Sequence, residues 1–377
     1  MPTSLRSAFD IPEDVAYINC AYLSPLLNAV AAVGREAVGR KAHPWEILHK
    51  DFFEEVEALR AVFAGLIGAA ADDIAIVPST AYGIATAAAN VALAPGDNIV
   101  LPDSEHASTY HKWRVRAAES GAELRAAEVA SDGDWADAIV ARIDARTRVV
   151  SVPNVHWSDG RVFDLERIGD AARAVGAVFV IDGTQSVGAL PLSVAALRPD
   201  YLTCSAYKWL LCPYGFAFLY VAPAHQGGTP FEEHYFHRAN AAGHEGRLEQ
   251  ILDYDRGARR FDMGERANFI TGPMALAALG QLAEWSVAGI QARIAPVSEA
   301  IVDGARTLGY FAHPQGRRVP HLFGLRREGG LPAGLGPALA AANVFVSLRG
   351  DAIRVSPHVY NDERDVERFL AVLAAAG

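Results

Sequence analysis

Residues 177–186 read AVFVIDGTQS and residues 201–211 read YLTCSAYKWLL. Each is a short apolar run that stops at a polar turn, the pattern of a strand buried on both faces. The same unit recurs on either side. Further runs lie at Ile74–Val77, Asn98–Leu101, Ala122–Glu128, Arg148–Val152 and Phe216–Val221, separated by Ala-rich helical stretches around 81–93, 106–120, 134–142 and 164–175. Strands alternating with helices predict a large α/β domain on a seven-stranded, mostly parallel sheet.

Upstream, Asn28–Arg40 and Trp45–Leu66 carry apolar residues at i, i+3 and i+4, which predicts two helices packed outside the sheet. Downstream, Met274–Trp285 and Ala288–Leu308 read as helices, followed by strands near 320–325, 344–348 and 352–355 and a closing helix near 362–375. These predict a smaller α+β domain. The expected division is a large domain over 15–260, a small domain from 1–14 and 285–377, and a joining segment over 261–284. No Gly/Ser- or Pro-rich linker separates them, so a helix near 285–309 is the expected joint.

Composition narrows the function. With 377 residues, 51% of them hydrophobic and 21% charged, the chain can bury a large core and is not disordered. The 34 Lys and Arg against 44 Asp and Glu give a net charge of −10, a poor surface for nucleic acid. Cys20, Cys204 and Cys212 are an odd set with no C-x-x-C pair, and no histidines sit at zinc spacing, so a reduced cytoplasmic protein without a metal is expected. Met1–Asp10 lacks the apolar core of a signal peptide. Ile74–Gly96 and Trp209–Ala224 are apolar, but the first holds Ser79, Thr80 and Asn90 and the second is short and broken by Pro213 and Gly215. Both read as core segments, and no membrane partner is expected.

In open α/β sheets ligands bind beyond the carboxyl ends of the strands. After Ile74–Val77, Ser79-Thr80-Ala81 leads into a helix, where hydroxyls and free N–H groups suit a phosphate, although an ordinary N-cap explains them too. Asp182 ends an otherwise apolar strand, a costly place for a carboxylate unless a cation or several donors answer it; an Asx turn is the alternative. The chain has only four lysines. Lys41, Lys50 and Lys112 sit among polar residues in helices, whereas Lys208 follows a strand among apolar and aromatic neighbours. Such surroundings penalise the charged amine and favour the neutral nucleophile needed for a Schiff base; a snorkelling lysine is the plainer reading. His106, after a fourth strand, offers a ring that could stack on a flat ligand. Phosphate cradle, buried acid, ring-stacking His and lone Lys are together the parts that pyridoxal 5′-phosphate needs.

The order and spacing of Ser79-Thr80, His106, Asp182-x-x-Gln185 and Ser205-x-x-Lys208 resemble the class V aminotransferase family of fold type I pyridoxal-phosphate enzymes. The resemblance runs from Tyr17-Ile18-Asn19 to the closing segment Arg354-Val355-Ser356-Pro357-His358-Val359-Tyr360-Asn361. It implies Lys208 as the cofactor-bearing lysine, with Asp182 and His106 as its catalytic companions at the pyridine nitrogen and the ring face. It also implies Gln185 and Asn154 at the ring hydroxyl, Ser205 and Ser79-Thr80-Ala81 at the phosphate, and Tyr207 beside the ring. Arg354, with Asn19, would hold the substrate carboxylate. A homodimer with active sites at the interface is implied as well. In it the loop Arg260–Phe269 would reach the partner's phosphate through Asn268 or Arg266, since Glu265 stands where desulfurases have Thr.

Departures bear on the reaction. Cysteine desulfurases and selenocysteine lyases have His before the lysine and a nucleophilic Cys in the C-terminal domain; here Tyr207 precedes Lys208 and no Cys follows Cys212. The Tyr-Lys pair is closer to kynureninases and isopenicillin N epimerase-like relatives. The expected function is an aminotransferase acting on an amino acid, with a lyase or an epimerase as alternatives. A non-catalytic protein that binds the cofactor or an amino acid is the reading outside that class. A nicotinamide enzyme is disfavoured because no strand is followed by G-x-G-x-x-G. The Phe231–His244 stretch, rich in His, Tyr and Phe, is expected to help line the substrate pocket.

Overall fold

The computed structural model describes residues 4–130, 132–243 and 252–376. After a two-residue strand β1 (Ala16–Tyr17), seven strands make the main sheet: β2 (Ile74–Val77), β3 (Asn98–Pro102), β4 (Glu123–Ala127), β5 (Thr147–Pro153), β6 (Val178–Asp182), β7 (Tyr201–Ser205) and β8 (Ala217–Val221). Their order is β2-β8-β7-β6-β5-β3-β4, and only β8 is antiparallel to its neighbours. Side chains alternate cleanly across it. In β6, Phe179 and Ile181 enter the core on one face while Val180 enters that on the other. This double burial explains the near-continuous apolar runs in the sequence.

Helices α1 (Asn28–Lys41), α2 (Asp51–Ile67), α3 (Thr80–Ala89), α4 (Ala107–Ser120), α5 (Trp135–Val140), α6 (Leu165–Ala174) and α7 (Val194–Leu197) precede α8 (Thr271–Trp285) and α9 (Val287–Thr307). The second helix starts later than its periodicity predicts: Pro44–Glu46 forms a separate 3-10 turn, and Asp51, which accepts the Leu48 N–H at 2.7 Å and pairs with Arg40, fixes the start. Gly68, at φ 69°, ends it.

The smaller layer holds β9 (Tyr310–Phe311), β10 (Phe323–Arg327), β11 (Val344–Phe345), β12 (Ser347–Arg349) and β13 (Ala352–Val355), with α10 (Leu335–Ala341) and α11 (Glu363–Ala376). A four-stranded sheet runs β12-β13-β10-β9, while β1 pairs in parallel with β11. Phe9 packs in the large core and Ala16 and Ile18 in the small one, so the chain crosses between them within its first twenty residues. The helix expected near 285–309 is α9, which meets α8 at Ser286, whose φ is 57° and whose Oγ accepts the Gly289 N–H at 3.1 Å. From there α9 reaches both cores, Ile290 and Ile294 in the large, Ile301 and Ala305 in the small. Among the described residues no helix is long and apolar enough to cross a membrane, and no cluster of three or more His, Cys, Asp or Glu could hold a metal.

Candidate active site

Strand β2 is antiparallel to β8, which is antiparallel to β7, so β2 runs with β3, β5, β6 and β7. The turns after these five strands therefore open on one edge of the sheet. A cavity of about 310 Å³ lies there, lined by Ser79, Thr80, Ala81, His106, Asp182, Gln185, Ser205, Tyr207 and Lys208. Residues drawn from four strand ends and separated by up to 129 positions (208 − 79) are thus brought to one wall.

The phosphate-like end is a cluster of hydroxyls over a helix start. Ser79 caps α3, its Oγ accepting the Tyr82 N–H at 3.1 Å. The N–H groups of Thr80 and Ala81, at the cavity wall, therefore open the helix without an intrahelical acceptor. Thr80 Oγ1 lies 2.7 Å from Ser205 Oγ and 2.8 Å from Thr184 Oγ1. Close packing of α3 on β7 makes this possible: a Cβ on Gly83 would meet Thr203 Oγ1 at 2.3 Å. An anion is what such a site binds.

At the other end, Asp182 accepts the Thr184 N–H through Oδ1 at 2.9 Å and is 8% exposed. Lys208, also 8% exposed, has its amine pushed down to about 8, chiefly by burial and next opposed by Asp182, with Arg354 adding to the depression. Gln185 is fixed from two sides, Oε1 accepting from Trp209 Nε1 at 2.9 Å and Nε2 donating to the Ala21 carbonyl at 3.3 Å. Desolvation at the cavity mouth holds the His106 imidazole below its usual value, with Asp182 opposing and the Lys208 and Arg354 cations reinforcing it. An anion cradle, a carboxylate and a depressed amine around one cavity fit a small molecule with a phosphate, a protonatable ring nitrogen and an aldehyde, as pyridoxal phosphate has.

Several expected residues lie elsewhere. Strand alternation explains Asn154: Pro153, Val155 and Trp157 line the cavity, so Asn154 turns to the opposite face and lines a separate groove with Phe163 and Leu190. Asn268 caps α8, accepting the Ile270 and Thr271 N–H groups at 3.1 and 2.9 Å, and lies in a second groove with Glu265. Arg266, expected with Asn268 to serve the partner's phosphate, is buried 3.2 Å from Asp262. Of the Phe231–His244 stretch, His244 lies outside the described residues. His234, Tyr235 and Phe236 line the second groove and not the cavity, because Glu232 is held outside α3 by the Tyr82 hydroxyl at 2.9 Å and the Gly264 N–H at 2.7 Å.

Arg354 is 3% exposed and does not line the cavity directly; it braces the wall, Nη1 donating to the Trp157 carbonyl at 3.0 Å. Its Nη2 donates to Ser347 Oγ at 3.3 Å, and that hydroxyl donates to Asn19 Oδ1 at 2.9 Å. Burial, then the Arg349 charge, push its guanidinium down to about 10. Sequence reasoning passes over Thr184 and Glu105, both at the cavity wall. Thr184 could have been found from its place two residues beyond the end of β6. Glu105 accepts the His106 N–H at 2.6 Å through Oε1 while Oε2 is buried without a partner, and burial, then Asp182, raise its carboxyl well above the usual range.

The chain is 29% identical over 329 residues to YcbU of Bacillus subtilis (strain 168), an uncharacterized aminotransferase, covering 86% of this chain and 85% of that protein. It is 27% identical over 370 residues to isopenicillin N epimerase of Amycolatopsis lactamdurans, with 93% and 91% covered. A solved structure of a C-DES mutant with glycine covalently linked to its PLP cofactor matches with a TM-score of 0.91 at 21% identity over 100% of both chains. Apo cysteine desulfurase from Thermococcus onnurineus NA1 matches at 0.86 and 21% identity, over 98% and 96%. At these identities the structural likeness speaks for the fold, which is that of fold type I enzymes. A family model for aminotransferase class-V matches residues 32–249, more than half of the chain, and the protein belongs to that family of pyridoxal-phosphate-dependent enzymes.

Proposed function

We propose that this protein is an aminotransferase that moves the amino group of an amino acid to a 2-oxo acid, with Lys208 as the residue that carries the cofactor. The observation that carries the reading is Lys208 itself, a buried amine depressed to about 8, sharing a cavity with Asp182 and a hydroxyl-lined helix start. Bound pyridoxal phosphate supplies an electron sink that acidifies the Cα–H of an attached amino acid. The Lys208 Nζ, neutral over much of the range around pH 8, takes that proton and returns it. Asp182 meets the ring nitrogen, Gln185 the ring hydroxyl, and His106 and Tyr207 flank the ring. Ser79, Thr80, Ala81 and Ser205 hold the phosphate, and Arg354, braced through Ser347 and Asn19, clamps the α-carboxylate.

Transamination is preferred over sulfur transfer because a persulfide relay needs a reachable thiol. All three cysteines are buried, and burial raises each thiol. Those free, buried thiols also support a cytoplasmic setting. The family likeness supports a homodimer, whose mass in solution a light-scattering measurement reads.

The deciding experiment mixes cofactor-loaded protein with an amino acid, with and without a 2-oxo acid acceptor. Appearance of a new amino acid only with acceptor, abolished in Lys208→Ala together with the lysine-dependent visible absorbance, is the expected result. Release of ammonia or a fragment without acceptor means a lyase, inversion at Cα means an epimerase, and no Lys208-dependent absorbance rejects the reading.

A further inference from the structure

We propose that the substrates carry two carboxylates, one for Arg354 and the other for Arg349, so that acidic amino acids and 2-oxo diacids are the class accepted. The proposal rests on the amino-acid chemistry above and names its substrate class.

The sheet places the two arginines together. Strands β12 and β13 are antiparallel, with Ser347 opposite Arg354 and Arg349 opposite Ala352. Directly opposed residues share a face and so do residues two apart, which puts Ser347, Arg349, Ala352 and Arg354 on one side of the sheet. Leu348, between them, points the other way and is exposed. Arg349 and Arg354 are therefore diagonal neighbours, with backbones roughly 7–8 Å apart. Their shared face looks to the cavity, since Arg354 is bonded to the carbonyl of Trp157 in its wall.

Neither guanidinium is answered by an acid. The fully buried arginines elsewhere are answered: Arg60 and Arg266 pair with Asp262, Arg259 with Glu57 and Arg318 with Glu299. Arg349 and Arg354 form no such pair among the described residues, and the Nε of each is buried with no hydrogen-bond partner. Two like charges held side by side in partly desolvated surroundings call for anions. Both cations also bear on Lys208 and His106, each lowering its affinity for a proton, so their field reaches the reacting end of the cavity. A monocarboxylate would answer Arg354 alone. A short diacid answers both.

Isothermal titration of cofactor-loaded protein with glutarate and with butyrate, neither of which has an amino group to react, reads the second carboxylate without turnover. Glutarate is expected to bind at least about tenfold more tightly than butyrate, in line with a charge-assisted pair, and Arg349→Gln is expected to bring that ratio to about one. Arg349→Lys, which keeps the charge, should restore part of it. Equal binding of the two acids by the unaltered protein overturns the proposal, as does a ratio that survives in Arg349→Gln. Because no amino group takes part, these outcomes are independent of the transamination assay, whose failure would instead reject the reaction proposed above.

Discussion

The Thr80 hydroxyl lies 2.7 Å from that of Ser205, tying the first residue of α3 to the last residue of β7. Thr184 completes the triangle at 2.8 Å from Thr80 and also accepts the Ser205 N–H at 3.3 Å. Thr80→Val keeps the side-chain shape and removes the oxygen. The loss of one hydrogen bond to an anion, about 1.5–3 kcal/mol, predicts pyridoxal phosphate binding weaker by at least about tenfold. Equilibrium titration of Thr80→Val, Thr184→Val and the double variant checks this, and the three losses should not add, since both hydroxyls act on one site.

Lys208 gives two pH signatures. Only the neutral amine reacts with an aldehyde, so the rate of cofactor uptake should rise with pH and level off above about 8, well before an ordinary lysine would. Asp182 favours the charged amine, so Asp182→Asn should move the midpoint to lower pH; a midpoint that moves up, in stopped-flow uptake across pH, contradicts the assignment.

The same depression weakens the fold. The unfolded chain binds the Lys208 proton more tightly than the folded one, so the penalty is complete below pH 8 and vanishes above the ordinary value of 10.5. Lys208→Met should stabilise the cofactor-free protein by up to about 3 kcal/mol at pH 7, the equivalent of the shift. Urea unfolding at pH 7 and above pH 10 reads the difference, which should shrink at the higher pH.

A second buried charge cluster tests structure apart from chemistry. Asp262 accepts from Arg60 Nη1 and from the Ile76 N–H, both at 2.8 Å, and both carboxylate and guanidinium are fully buried. Asp262→Ala leaves Arg60 with only the more exposed Glu57 and takes the paired carboxylate from buried Arg266, and is expected to cost about 3–5 kcal/mol in a denaturant titration. Asp262 is not part of the cavity wall, so cofactor affinity measured well below the melting temperature should be far less affected.

Much of this was legible in the chain, for identifiable reasons. Apart from the edge strand β4, the main strands are buried on both faces, so each appears as a near-continuous apolar run, and the catalytic candidates follow those runs because the sheet's carboxyl edge is where they must be. Asn154, placed at the ring hydroxyl by the family resemblance, lines a separate groove while Pro153, Val155 and Trp157 line the cavity, a facing set by the two-residue period that a motif match does not carry. Glu105 escaped because its burial depends on packing that no local pattern encodes. The Arg349 and Arg354 pairing likewise needs the β12–β13 register, in which Arg349 lies opposite Ala352 and Arg354 opposite Ser347.

That register makes Ser347 a testable positioning residue. Its hydroxyl accepts from Arg354 Nη2 at 3.3 Å and donates to Asn19 at 2.9 Å, so it fixes the guanidinium without touching the cavity. Removing the guanidinium itself, in Arg354→Gln, should weaken amino-acid binding by about 2–5 kcal/mol and also lower kcat, because the α-carboxylate clamp orients the Cα–H bond. Ser347→Ala keeps the charge and loses one brace, so KM should rise severalfold with kcat little changed. Steady-state kinetics that show equal falls in kcat for both variants would place the orienting role in the strand as a whole and not in the Arg354 clamp.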